Sequence, residues 1–203
     1  MRLKGSEDGF TLVELLVAIV IAGIIVFPLA GVVMSALKNT GTTSDRMDLS
    51  HDAQLSSSYF ARDVAAVGIR DYENTTGNSL PFKPSVQRNV SYTCGGTPTP
   101  VAVLVLLSDA WDPDDSMTTP QTDAVAYYLK AADGSTELRR LKCAGGVAVS
   151  DVPVVHHVKT AVATCSSTCE SATVPNEITL ELVATKASVG DYPITLNGQR
   201  RQS

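Results

Sequence analysis

The sequence predicts an α+β fold, in which one long N-terminal helix packs on a mainly antiparallel sheet. Three observations predict it. Leu15–Met34 carries no charged or hydrogen-bonding side chain across 20 residues. Leu49, Ala53, Phe60, Val64 and Val67 then recur within a narrow arc at helical spacing. From Val101 onward the pattern changes to strand-length runs, two of them flanking an Asp133-Gly134 turn signal. A helix followed by consecutive strands is an α+β order of parts.

The apolar run comes first. At about 1.5 Å per residue, a helix of that length covers roughly 30 Å, the hydrocarbon thickness of a bilayer. Glu14 stands immediately before it, inside the apolar segment that begins at Phe10. A carboxylate in lipid is costly and calls for a positive partner. Cutting the chain between Gly9 and Phe10 would create one, an α-amino group in the same apolar layer. In a bundle of staggered helices the amine of one copy could face the acid of the next.

Gly9-Phe10-Thr11-Leu12-Val13-Glu14, followed by the unbroken apolar run, resembles the processing signature of type IV prepilins and pseudopilins. The resemblance implies cleavage after Gly9 by a membrane prepilin peptidase and N-methylation of Phe10. It also implies subunit assembly through Glu14, and partners that are other pilin or pseudopilin subunits. A secretory signal would show a basic start and a short apolar core. Here Arg2 and Lys4 are balanced by Glu7 and Asp8, and the run is too long. A plain single-pass anchor would leave Glu14 unexplained.

The expected domains are a leader at 1–9, a transmembrane and assembly helix at 10–37, and an extracytoplasmic pilin-like domain at 38–203. Within the last, an amphipathic helix spans 45–68 and the β-rich part 86–197. Pro28 predicts a kink or local unwinding, because it lacks an N–H and its ring crowds the preceding turn. The polar stretch near Gly41 is a second expected interruption. Arg62, Asp52 and Asp63 fall off the Leu49–Val67 stripe, which reads as core.

Residues 70–100 are rich in Gly, Pro, Asn, Ser and Thr and predict a long surface connection, with at most one strand near Val86–Thr93. Val101–Leu107 predicts a strand buried on both faces or against the helix. Ala124–Lys130 and Glu137–Cys143 predict a hairpin, Val152–Thr164 a longer β-branched strand, and Ile178–Thr185 an alternating one. Tyr192–Leu196 closes the domain before a basic tail at Asn197–Ser203. The Ala61–Gly68 segment, the Val125–Arg140 hairpin and Gly198–Arg201 are loosely similar to W-type minor pilins and J-type minor pseudopilins.

Four cysteines in an exported chain favour two disulfides over metal binding. They allow three pairings. The Cys165–Cys169 spacing suits a small ring at a loop tip, which leaves Cys94 with Cys143. The competing reading is a metal site from Cys165, Cys169, His156 and His157, but adjacent histidines on a strand point to opposite faces. Asp109, Asp112, Asp114 and Asp115 form an acidic cluster beside Trp111. It lacks the spacing and glycine of an EF-hand, and a solvated loop is favoured over calcium.

Formal net charge is −5, which provides no overall footprint for DNA. Arg139, Arg140, Lys142, Arg200 and Arg201 are the only candidates for a basic patch. No nucleophile elbow, metalloprotease helix or phosphate loop occurs. The expectation is a non-enzymatic structural subunit, without cofactor, metal or small-molecule substrate. It starts as a single-pass protein of the cell membrane and ends in a pilus or pseudopilus. The alternative is a monomeric anchored ectodomain with a binding or enzymatic role.

Overall fold

The structure is a computed structural model, and it describes residues 9, 11–74, 80–110 and 121–201. Two compact units divide after Ser44, Met1–Ser44 and Asp45–Ser203. A single helix, α1, runs Leu12–Ala65 through both. The expected α+β architecture is borne out: the second half of α1 packs on antiparallel sheets.

The helix continues through Pro28 and Gly41, so the interruption expected near Gly41 does not occur and Pro28 lies within an unbroken helix. Around Gly41, Thr40 Oγ1 donates to the Ala36 carbonyl at 2.9 Å and Thr42 Oγ1 to the Lys38 carbonyl at 3.2 Å, so both hydroxyls find acceptors within the helix itself. The helix ends at Ala65, three residues before the predicted Gly68. Ala66 and Val67 N–H groups close tight turns onto Asp63 and Val64, and Gly68 takes φ 141°. Its N–H then donates to the Leu107 carbonyl at 3.0 Å.

Ten strands follow. β1 (Ile69–Arg70) pairs with β2 (Phe82–Lys83). β3 (Val86–Cys94), β4 (Thr97–Ala110), β5 (Gln121–Ala132), β6 (Ser135–Ala144) and β7 (Val147–Val155) form one antiparallel sheet in chain order. β8 (Val158–Cys165), β9 (Glu177–Lys186) and β10 (Gly190–Gln199) form a second, also in chain order. The predicted hairpin is β5–β6, turning at Asp133-Gly134, where both residues have positive φ. The connection at 70–100 holds more strand than expected, since β1, β2, all of β3 and the start of β4 lie in it. The predicted Val152–Thr164 strand is two strands in different sheets. His156 and His157 make the corner between them, His157 with φ 57°. Uniform β-branched character marks strand content but not the point where a chain leaves one sheet for another.

Leu49, Phe60 and Val64 of α1, and Val67 just past its end, are buried with Val86, Leu104, Leu106, Tyr127 and Leu138 of the larger sheet. Ile178, Leu180, Leu182, Ala184, Ile194 and Leu196 of the smaller sheet complete this core. A second cluster includes Ala102, Val105, Ala124, Ala126, Tyr128 and Leu141. Successive strand residues face opposite sides, so Val105 and Tyr128 look away from the side taken by Leu104, Leu106 and Tyr127. β4 is therefore buried on both faces.

Candidate functional site

The N-terminal segment of α1 is apolar and wholly exposed. Ile24 is 69% accessible and Phe27 87%, in a helix long and apolar enough to cross a membrane. Such a surface is incompatible with water and requires lipid or other helices around it.

At its start stands Glu14. Thr11 N–H and Thr11 Oγ1 both donate to Glu14 Oε2, at 3.0 and 2.9 Å, and Glu14 N–H donates back to Thr11 Oγ1 at 3.3 Å. This is a capping box, with threonine as N-cap and glutamate three residues on. It satisfies helix-start donors that apolar surroundings would leave unpaired. Oε1 of Glu14 has no hydrogen bond among the described residues. The T-x-x-E spacing of this cap is legible in the sequence. Gly9 is exposed, while Phe10 lies outside the described residues.

The second unit carries a polar node that the sequence reading missed. Asp63, placed off the core stripe, is buried. Arg140 Nε and Nη2 donate to its two oxygens at 2.6 Å each, and Tyr127 Oη donates to Oδ2 at 2.6 Å. Both charged side chains are 5% exposed. Burial, and then the Asp63 carboxylate, push the Tyr127 hydroxyl well above its ordinary pKa. Burial, the largest single influence, would lower the Arg140 pKa, but the hydrogen bonds and charge of Asp63 together with Tyr127 outweigh it and hold the guanidinium charged. Asp52, also expected off the stripe, is buried too, and its carboxylate accepts from the His156 backbone N–H at 2.9 Å.

Two of the candidates for a basic patch are neutralised. Arg140 is internal, and Arg139 is paired with Glu137 and Asp151. Among the described residues no group of three His, Cys, Asp or Glu side chains could hold a metal ion. Cys165 and Cys169 are joined to each other, as are Cys94 and Cys143. Asp109 accepts from the Arg70 N–H at 3.2 Å. Trp111, Asp112, Asp114 and Asp115 lie outside the described residues. A cavity of about 570 Å³ beside the Asp63–Arg140 pair is lined by residues that include Tyr59, Val125, Lys142 and Ser150.

No curated protein and no solved structure matches the chain. Residues 5–30 match a family model described as the prokaryotic N-terminal methylation motif. The match, with the apolar helix that follows it, fits a membrane-anchored pilin and supports the type IV pilin and pseudopilin family.

Proposed function

We propose that the protein is a minor structural subunit of a type IV pilus or of a pseudopilus like that of type II secretion. The reading rests on an exposed apolar helix that opens with a single acid, Glu14, inside a matched methylation motif. In this reading prepilin peptidase cuts after Gly9, and Phe10 becomes the methylated N-terminus. The helix first spans the cell membrane, with the Asp45–Ser203 unit outside. It then leaves lipid for the filament core, packed against other pilin or pseudopilin subunits.

Glu14 supplies the register. Its Oε2 is held by Thr11, and its Oε1 faces the N-terminal amine of a neighbouring copy. Each charge is costly alone in an apolar layer, and the pair is tolerable. A mis-registered neighbour would leave both unpaired, which selects one axial stagger. The loose likeness of the Ala61–Gly68 and Val125–Arg140 segments to W-type minor pilins and J-type minor pseudopilins is what supports placing the subunit in the minor class. Surface pili, type II secretion and DNA uptake all use subunits of this form, and the genes adjoining its own identify the machine.

Two measurements test the proposal. N-terminal sequencing of protein from cells that make the peptidase should give N-methylated Phe10; an intact Met1 there would leave only an anchored ectodomain. Glu14→Ala should insert and fold normally yet be absent from sheared filaments. Its normal incorporation would refute the role given to the carboxylate.

A further inference from the structure

Near the end of α1 at Ala65, one face of the larger sheet walls the cavity of about 570 Å³. Strand register sets Leu106, Val125, Lys142 and Ser150 side by side across β4 to β7, with Arg140 opposite Val152 one row on. Residues two apart on a strand share a face, so Arg140 and Lys142 border the cavity together. Val125 and Val152, half-buried, give it an aliphatic floor. From α1 come Tyr59 and Arg62. The guanidinium carbons of Arg62 and Arg140 lie 5.3 and 5.1 Å from the centre of the Tyr59 ring.

The donors around this space lack acceptors. Asp63 takes Nε and Nη2 of Arg140 and leaves Nη1 without a hydrogen bond among the described residues. The Arg140 side chain is only 5% exposed. Even so, Nη1 is not sealed off, because the buried side-chain nitrogens without a partner there belong to Arg200 alone. Neither Arg62 nor Lys142 has a side-chain hydrogen bond or ion pair among the described residues. The acids that line the cavity from β4 and β5 are engaged, Asp109 by the Arg70 N–H and Asp123 by the Gly145 N–H. What this wall is missing is an acceptor.

The volume is that of a small-molecule site, which joins an apolar floor to a few convergent polar groups. We propose that the cavity binds a small organic acid, its carboxylate received by Arg140 Nη1 and Lys142 and its apolar body lying on Val125 and Val152. Arg62 adds attraction for the incoming charge. Asp109 and Asp123 place two negative charges on the β4–β5 side, which disfavours a phosphate dianion. Binding here is independent of filament assembly, so either reading can fail alone.

The full chain in detergent micelles is titrated with sodium 4-methylpentanoate, sodium acetate, 3-methylbutylamine and inorganic phosphate at constant ionic strength, following the backbone amide resonances of Val125 and Ser150. 4-Methylpentanoate should shift them saturably. Acetate, without the branched chain to bury, should bind about tenfold more weakly, and the amine should produce no response. Lys142→Gln should weaken 4-methylpentanoate at least fivefold with unchanged circular dichroism, and Lys142→Arg should keep most of the affinity. Arg62→Gln should weaken it two- to threefold. A shift that never saturates, or one the amine reproduces, overturns the site, as does unchanged affinity in Lys142→Gln. Acetate binding as tightly as 4-methylpentanoate overturns the role of the apolar floor, and phosphate binding more tightly overturns the assignment to a carboxylate.

Discussion

At the scale of single residues, the interior of the second unit is decided by two close approaches. Gly198 on β10 meets α1 so tightly that a Cβ there would lie 2.4 Å from Val64 Cβ and under 3 Å from both its methyl carbons. Val64 is fully buried and has nowhere to move. Gly198→Ala should therefore destabilise by about 1–3 kcal/mol, the usual cost of overpacking a core. Adding Val64→Ala should restore part of that loss, so the double variant is more stable than the sum of the two changes. Urea unfolding in micelles gives all three values. The second approach is Asp63 to Arg140. Removing one member strands the other as a buried charge, so Asp63→Ala should cost about 3–5 kcal/mol. Arg140→Met in the same chain should recover a large part of it, since no charge is then left unpaired. A double-mutant cycle with no coupling would show that the pair contributes nothing.

At the scale of elements, α1 combines two kinds of stability. Its first half is apolar and exposed and depends on apolar surroundings, with the Thr11–Glu14 cap closing its start. Its second half is held by the core stripe and by polar ties to elements distant in sequence. Lys186 on β9 donates to Asp45 at 3.0 Å and to Asp48 at 2.8 Å, and Ser188 donates to Asp45 as well. The two disulfides also differ in kind. Cys94–Cys143 closes a separation of 49 residues and Cys165–Cys169 one of 4. Loop-closure entropy then assigns about 4 kcal/mol to the first and about 2 kcal/mol to the second. Replacing Cys94 and Cys143 by serine should lower the unfolding midpoint in urea more than replacing Cys165 and Cys169. The first bridge also joins buried sulfurs in the second core cluster, which adds a packing loss of the same sign.

At the scale of the whole molecule, several carboxylates of the second unit are held below their ordinary pKa by partners. For Asp45 the main cause is the Ser188 hydroxyl, then Lys186. For Glu170 it is Arg88, and for Asp191 it is Lys159. A carboxylate with a lower pKa in the folded state adds stability above its unfolded pKa and loses it as pH falls through the folded value. Melting temperature should therefore be nearly flat from pH 7 to about pH 5 and fall below about pH 4. These groups are solvent-exposed, so added salt should shrink the effect. A melting temperature that rose on acidification would contradict the assignment.

What the chain's order of residues determined by itself was everything that depends on neighbours in sequence. The apolar span, Glu14 at its start, the Leu49–Val67 stripe and the Asp133-Gly134 hairpin are all local patterns, set by helical or strand periodicity and by turn chemistry. The capping box belongs with them, because T-x-x-E is a spacing. Only the tertiary structure decided which polar residues are buried. Asp52 and Asp63 look like solvent-facing helix acids until His156 and Arg140 arrive from 104 and 77 residues away. It also decided that the β-branched run after Val152 turns a corner at His156-His157, because leaving one sheet for another depends on where the rest of the chain lies. A group's burial is a property of what surrounds it in space, and one-dimensional periodicity carries no record of partners brought in by long-range folding.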